Sequence, residues 1–279
     1  MKLASTFNRT SSILRSREAL TDEQIRHVAP SVFADTAHDS RSQRYTYLPT
    51  SEVLTSLRRE GFQPFLVCQG GSRVEGKADF TKHMLRLRHA NAITTTAEEV
   101  PEIILINSHD GTSSYQLLAG CFRFVCQNGM VTGQQLGEIR VRHTGDIVGQ
   151  VIDGCISLVE EMPRLADTVN EFKHLQLTDG EQRAFALAAH ATRFEPDSTV
   201  KADKLLTTRR HADNGPDMWR TLNRVQENVI RGGIGYVQTT EKSGTSFRRT
   251  REVKGIDQTV GINRALWVLA EEMAKIKNA

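Results

Sequence analysis

Four cysteines, Cys68, Cys121, Cys126 and Cys155, are scattered through 279 residues, and no two form a CxxC pair. That spacing excludes the usual zinc and thioredoxin-like sites. The apolar runs around the cysteines predict buried free thiols in a reducing compartment. No apolar run approaches the roughly 20 residues that span a bilayer. The Ser/Arg-rich start, Met1 to Arg17, lacks the apolar stretch of a secretory signal. A soluble, cytoplasmic chain with no membrane partner is therefore expected. Neither GxSxG nor HExxH occurs, and there is no internal repeat or coiled-coil heptad. Net charge is scarce as well: 36 Lys and Arg against 33 Asp and Glu leave only +3. A polyanionic partner would need that charge gathered locally.

What is present is an ordinary globular composition, 38% hydrophobic and 25% charged, long enough to bury a large core. Residues 1–20 read as a flexible basic arm carrying Arg9, Arg15 and Arg17. Thr21-Asp22-Glu23 starts a short helix that Pro30 stops. Thr50 or Ser51 caps a second, with Val53, Leu54 and Leu57 as its apolar stripe and Gly61 as its end. Strand patterns follow at Phe65–Cys68, Thr81–His89, Ile103–Asn107, Tyr115–Leu118, Phe122–Gln127 and Glu138–His143. Asp110-Gly111 marks a tight turn, and Asn128-Gly129 joins the last two strands. From Val148 helices dominate, with Pro163 interrupting the first and Thr178-Asp179 starting another. Pro216 opens a helix that Gly232-Gly233 ends, and Val260 to Lys277 forms the last. Between these two, Thr239 to Gly255 reads as a mobile loop or hairpin.

Strands first and helices afterwards give an α+β fold. The expected form is an antiparallel sheet of five or six strands in the N-terminal half and a mainly helical C-terminal half. The divisions are a 1–20 arm, a 21–146 sheet region and a 147–279 helical region, with a single 21–279 domain as the alternative.

Gly71 to Lys77 has P-loop spacing, but Ala78 replaces the metal-binding hydroxyl and a strand follows where a helix is required. Nucleotide hydrolysis is rejected on that motif. Asn107 to Ser114 is a dense polar cluster in which His109 and Asp110 could serve a metal-dependent nuclease. The competing reading is a turn satisfied by its own short side chains. No catalytic residue, metal ligand or cofactor is assigned.

Strand alternation carries more information, because residues two apart share a face. Lys82, Arg86 and Arg88 lie on one side of their strand, opposite Leu85 and Leu87. Arg140 and Arg142 lie opposite Ile139 and Val141, and Arg123 opposite Phe122 and Phe124. Joined in one sheet, these residues would make an arginine face able to track phosphates; an ordinary solvated face is the alternative. A second basic stripe, Arg220, Arg224 and Arg231, runs along the helix at 217–231. A third set, Lys242, Arg248, Arg249, Arg251 and Lys254, crowds around Phe247, an aromatic able to stack on a base.

Several stretches together resemble the uncharacterised YafZ/YfjQ-like family of prophage and plasmid proteins, a domain of unknown function. They are Arg41 to Thr50, Phe80 to Arg88, Asn107 to Gly111, Phe122 to Gly129 and Arg224 to Asn228. The resemblance spans about Ala4 to Lys277 and implies residence on mobile genetic elements; it brings no catalytic residues. The expected function is nucleic-acid binding in recombination, strand annealing or replication. The alternative is a non-enzymatic interaction protein that inhibits a host defence system. The expected partners are accordingly DNA, single- or double-stranded, or a host defence protein, with self-association a further option.

Overall fold

The computed structural model describes residues 11–39, 46–72, 74, 76–90, 99–123, 128–131, 138–240 and 244–278. They divide into a sheet unit that ends at Pro163 and a helical unit that begins at Arg164.

The fold is α+β. Seven antiparallel strands build the sheet: β1 (Ser11–Arg15), β2 (Phe62–Gly70), β3 (His83–His89), β4 (Glu99–Asn107), β5 (Tyr115–Arg123), β6 (Asn128–Val131) and β7 (Glu138–Val141). Strands one to six pair in chain order, while β7 shares the outer edge of β5 with β6. Strand β6 lies opposite Gly120–Arg123 and β7 opposite Tyr115–Leu118. Three local expectations change. Ser11–Arg15, read as flexible arm, is an edge strand registered on Leu66–Gly70. Asn128 and Gly129 pair within β6, opposite Arg123 and Phe122, and do not form the turn. The separate strands expected at Tyr115–Leu118 and Phe122–Gln127 are one strand, β5, through Arg123; residues 124–127 lie outside the described residues.

Helix α1 (Asp22–Val28) starts on a capping box between Thr21 and Gln24. In helix α2 (Thr50–Arg59), Pro49 holds the cap position and Thr50 is the first helical residue, its hydroxyl engaged elsewhere. Helix α3 (Ile147–Glu160) is capped by the Asp146 carboxylate and packs on β4, β5 and β7. It therefore goes with the sheet unit, and the division falls after Pro163 rather than at 146/147. Gly154 permits the close approach, since a Cβ there would stand 2.7 Å from Leu117 Cδ1 and 3.2 Å from Ile139 Cγ2. Leu117 and Ile139 are direct cross-strand partners, so this is the helix-covered face. The other face is buried too: Ile104, Ile106 and Leu118 are at most 2% exposed. A sheet covered on both sides reads as continuous apolar strands, as the run Ile103 to Ile106 does.

The helical unit holds α4 (Met162–His174), α5 (Asp179–Ala191), α6 (Met218–Arg231) and α7 (Ile256–Asn278). Pro163 is the second residue of α4, where a missing N–H costs nothing. Helix α6 is buried along nearly its whole circumference. Its apolar side (Met218, Leu222, Val225, Val229) faces the core, and the segment before it wraps its polar side.

Helix α6 also anchors a two-stranded ribbon, β8 (Gly235–Thr240) and β9 (Gly244–Arg249). Gly233 N–H donates to Thr250 O at 2.8 Å, Thr250 N–H to Ile234 O at 2.9 Å and Val253 N–H to Ile230 O at 2.8 Å. The Arg193 guanidinium ties the Val229 carbonyl to that of Arg251. Gly232 lies at φ 65°, ψ −142°, a conformation nearly confined to glycine. A Cβ there would meet Arg251 O at 2.4 Å. Gly232→Ala should therefore cost about 2 kcal/mol or more, measured as the shift in the urea midpoint. Gly244→Ala, with nothing within 4 Å of its Cβ, should cost about 1 kcal/mol from left-handed backbone alone.

Candidate functional site

Sheet register separates the arginines that sequence alternation groups together. Directly opposed residues in antiparallel strands share a face. Arg86 pairs with Ile104 and Ile104 with Leu118, so Arg86 and Arg88 share the face of Leu118. Gln116, two residues from Leu118, pairs with Arg140, which places Arg140 there as well. Arg123 stands five residues from Leu118, an odd offset, and so lies on the helix-covered face, opposite Glu99.

Most of these arginines are also not on the surface. Arg86, Arg88 and Arg123 are each at most 4% exposed. Glu102, 1% exposed, accepts Arg86 Nε on one carboxylate oxygen at 2.5 Å and Arg88 Nε on the other at 2.8 Å. The Arg88 guanidinium also lies over the Phe65 ring, 4.3 Å from its centroid. Arg123 stands 3.7 Å from the Glu99 carboxylate. Arg140 is exposed but bound to Glu138 at 2.6 Å. Arg142 is exposed and Lys82 half-buried. The expected arginine face is thus corrected to a buried Arg–Glu–Arg triad, one arginine on the opposite side, and a rim.

The helical stripe is corrected in the same way. Arg224 is buried and donates to Gln182 Oε1 at 2.8 Å and Thr221 Oγ1 at 3.1 Å. Arg220 pairs with Asp217 at 2.7 Å and Arg231 with Glu227 at 3.1 Å. Glu227 also takes the Arg210 guanidinium. Asn228 Nδ2 donates to Leu205 O and Thr207 O, both at 2.8 Å. Buried Glu227 and Asn228 hold the preceding segment against α6, while Arg220 stays exposed in its pair with Asp217 and Arg231 is half-buried.

The third set stays exposed. Arg248, Arg249 and Arg251 are exposed, and Lys254 is half-buried. Lys242 lies outside the described residues. Arg248 and Arg249 make only long contacts, 3.5 Å to Ser246 Oγ and 3.4 Å to Gly233 O. Among the described residues no carboxylate pairs with Arg248, Arg249, Arg251 or Lys254. Residues 235–254 carry five Lys and Arg against Glu241 and Glu252, an excess of three that equals the whole chain's net charge. Register places Val237 directly opposite Phe247, and Gly235 opposite Arg249. One ribbon face therefore carries Val237, Phe247 and Arg249, with Val237 50% and Phe247 67% exposed. The other carries Tyr236 opposite Arg248. Val237 and Tyr236 were not singled out in the sequence, although the β-branched and aromatic content of Gly235–Thr240 reads as a strand.

His109 and Asp110 turn to different partners. The Asp110 carboxylate accepts Thr112 N–H at 3.0 Å and Thr112 Oγ1 at 2.6 Å and pairs with Lys77 at 3.2 Å. The turn is closed by its own side chains, with Gly111 at φ 78°. Lys77 precedes a three-residue helical turn, Ala78–Phe80, then β3, so the phosphate-cradling helix of a P-loop is absent from this segment. Among the described residues no three His, Cys, Asp or Glu side chains are placed to hold a metal ion.

His109 belongs instead to a buried chain of hydrogen bonds whose direction can be worked out. Gln69 Oε1 accepts both Ser31 N–H at 3.0 Å and Ser31 Oγ–H at 2.7 Å. Ser31 has then spent its proton, so His83 Nδ1–H must donate to Ser31 Oγ at 2.9 Å. Burial pushes the His83 pKa down to about 3, with the neighbouring His109 adding to it. The ring is neutral, and its bare Nε2 accepts the Thr50 hydroxyl proton at 2.9 Å. Thr50 Oγ1 receives Asn107 Nδ2 at 3.0 Å and lies 3.2 Å from His109 Nε2. With no proton left on Thr50, His109 Nε2–H is the donor. His109, pushed down to about 4 by burial and then by His143, therefore carries its lone pair on Nδ1. That atom is buried without a hydrogen-bond partner among the described residues. This network explains why Thr50 does not cap α2.

Cys68, Cys121 and Cys155 are buried free thiols, with Cys68 and Cys155 pushed up to about 12 by burial. Cys126 lies outside the described residues. No helix among the described residues is long and apolar enough to cross a membrane.

Comparison with known proteins places this arrangement in a family. Residues 37–267 match the profile of a domain of unknown function, DUF932. The chain belongs to the DUF932 family. Its relatives include two proteins of Escherichia coli strain K12, UPF0380 protein YafZ and UPF0380 protein YfjQ. Each is 48% identical over 273 residues, covering 98% of this chain and 97% of the relative. The YafZ/YfjQ-like resemblance is thereby shown, and the DUF932 match extends into both units, from residue 37 to residue 267. No solved structure matches the chain.

Proposed function

We propose that this DUF932 chain binds nucleic acid through the β8–β9 ribbon and the basic segment after it. The observation that carries the reading is one ribbon on which exposed Arg248 and Arg249 directly follow an exposed Phe247. Guanidinium groups without a carboxylate partner suit phosphate oxygens, and such contacts release counterions. The resemblance to prophage and plasmid proteins suggests service to a mobile genetic element, in recombination, strand annealing or replication. No catalytic residue enters this reading.

Fluorescence-anisotropy titration over a range of salt tests it. Affinity should fall linearly in log–log form. Replacing Arg248, Arg249 and Arg251 together by alanine should reduce the slope by about 2 to 3. Unaltered slope and affinity in that variant would sink the assignment. Partnership with a host defence protein draws on the exposed apolar pair Val237 and Phe247. Capture of a defined partner that survives nuclease digestion and high salt would favour that alternative.

A further inference from the structure

We infer that the nucleic acid taken by the ribbon is single-stranded, with Phe247 stacked on an unpaired base; this rests on the nucleic-acid reading above. Phe247 is the largest exposed apolar side chain on the ribbon, yet its position is set. Its ring leans across the strands until its tip fills the space above Gly235: a Cβ there would meet Phe247 Cζ at 2.4 Å and Cε2 at 2.8 Å. The tip is seated while 67% of the residue remains exposed. An aromatic ring held at its tip and otherwise open is a stacking platform. Paired bases inside a duplex offer no free face to it.

The charges match that occupant. Arg249 shares the ribbon face of Phe247, two residues further along the strand, or roughly 6.6 Å at the usual rise. A base on Phe247 and a phosphate beside it can therefore be engaged together. Arg248 projects from the other face, opposite half-buried Tyr236, where it meets the backbone as it passes the ribbon. Phosphate attraction alone would draw single and double strands alike; the open ring distinguishes them.

The experiment compares three probes on the full chain at low salt. They are an oligothymidylate, an abasic oligomer of the same length and charge, and a duplex of that length. The oligothymidylate should bind about 5- to 150-fold more tightly than the abasic probe, the effect of one stacked base. Phe247→Ala should erase that difference and leave the salt slope intact, and Phe247→Trp should keep it. Both substitutions fall at an exposed position, and an unchanged melting transition verifies the fold. Equal binding of all three probes, or a difference that survives Phe247→Ala, overturns the single-strand inference while nucleic-acid binding stands. Absence of salt-dependent binding to any probe overturns both.

Discussion

Replacing Glu102 by alanine is expected to destabilise the sheet unit by about 3 to 5 kcal/mol, the usual effect of removing one partner of a buried ion pair. The reason is local. Glu102 is 1% exposed and its two oxygens take Arg86 and Arg88, themselves 4% and 3% exposed. Without the carboxylate, two guanidinium groups remain in a site that excludes water. Desolvation of a buried ion pair nevertheless offsets much of its attraction. The triple variant Arg86→Met, Arg88→Met, Glu102→Leu should therefore recover most of the loss. Urea denaturation of both variants checks this. A loss under 1 kcal/mol in Glu102→Ala would contradict the triad, and its recovery in the triple variant would separate stability from binding.

Acid should destabilise the sheet unit over a window set by its histidines. His83 and His109 have folded pKa values of about 3 and about 4, against an unfolded value near 6.5. Above pH 6.5 both states are neutral and the two rings contribute no pH dependence. Below it the unfolded chain binds protons that the native state refuses, so stability falls as pH falls, until the folded values are reached. Each histidine contributes roughly 1.4 kcal/mol per pH unit, so the pair should lose about 5 kcal/mol between pH 6.5 and 4.5. His143, also shifted downward by burial, acts in the same direction. Chemical denaturation at a series of pH values measures the slope. His109→Gln should lower it by one proton; a flat profile between pH 6.5 and 4.5 would refute the neutral buried rings.

These expectations show which features were legible in the sequence. Elements with local signals were readable: the helix start at Thr178-Asp179, which the structure closes as a capping box with Glu181, the Asp110-Gly111 turn and the alternation in β3. Ser11–Arg15 was not, because a short Ser-rich edge strand has little alternation to display. The arginine face failed for a physical reason. Alternation reports that Arg86 and Leu85 point to opposite sides, but not whether a side is wet. The partner that allows burial, Glu102, lies one strand away, and its registry emerges only from pairing. Arg123 shares no face with Arg86, a matter of odd and even counting across β5 that no single strand reveals. Along α6, Asn228 and Glu227 bind a segment about twenty residues earlier, so a polar stripe looked solvated. The basic set at 242–254 was legible because five cations gather there against only Glu241 and Glu252.

We propose binding in the ribbon and not in the sheet. Hydrogen–deuterium exchange of the full chain, with and without an oligothymidylate, addresses it directly. That placement predicts new protection within residues 235–254 and none in His83–His89. Protection confined to the sheet strands, with the ribbon unchanged, would contradict it.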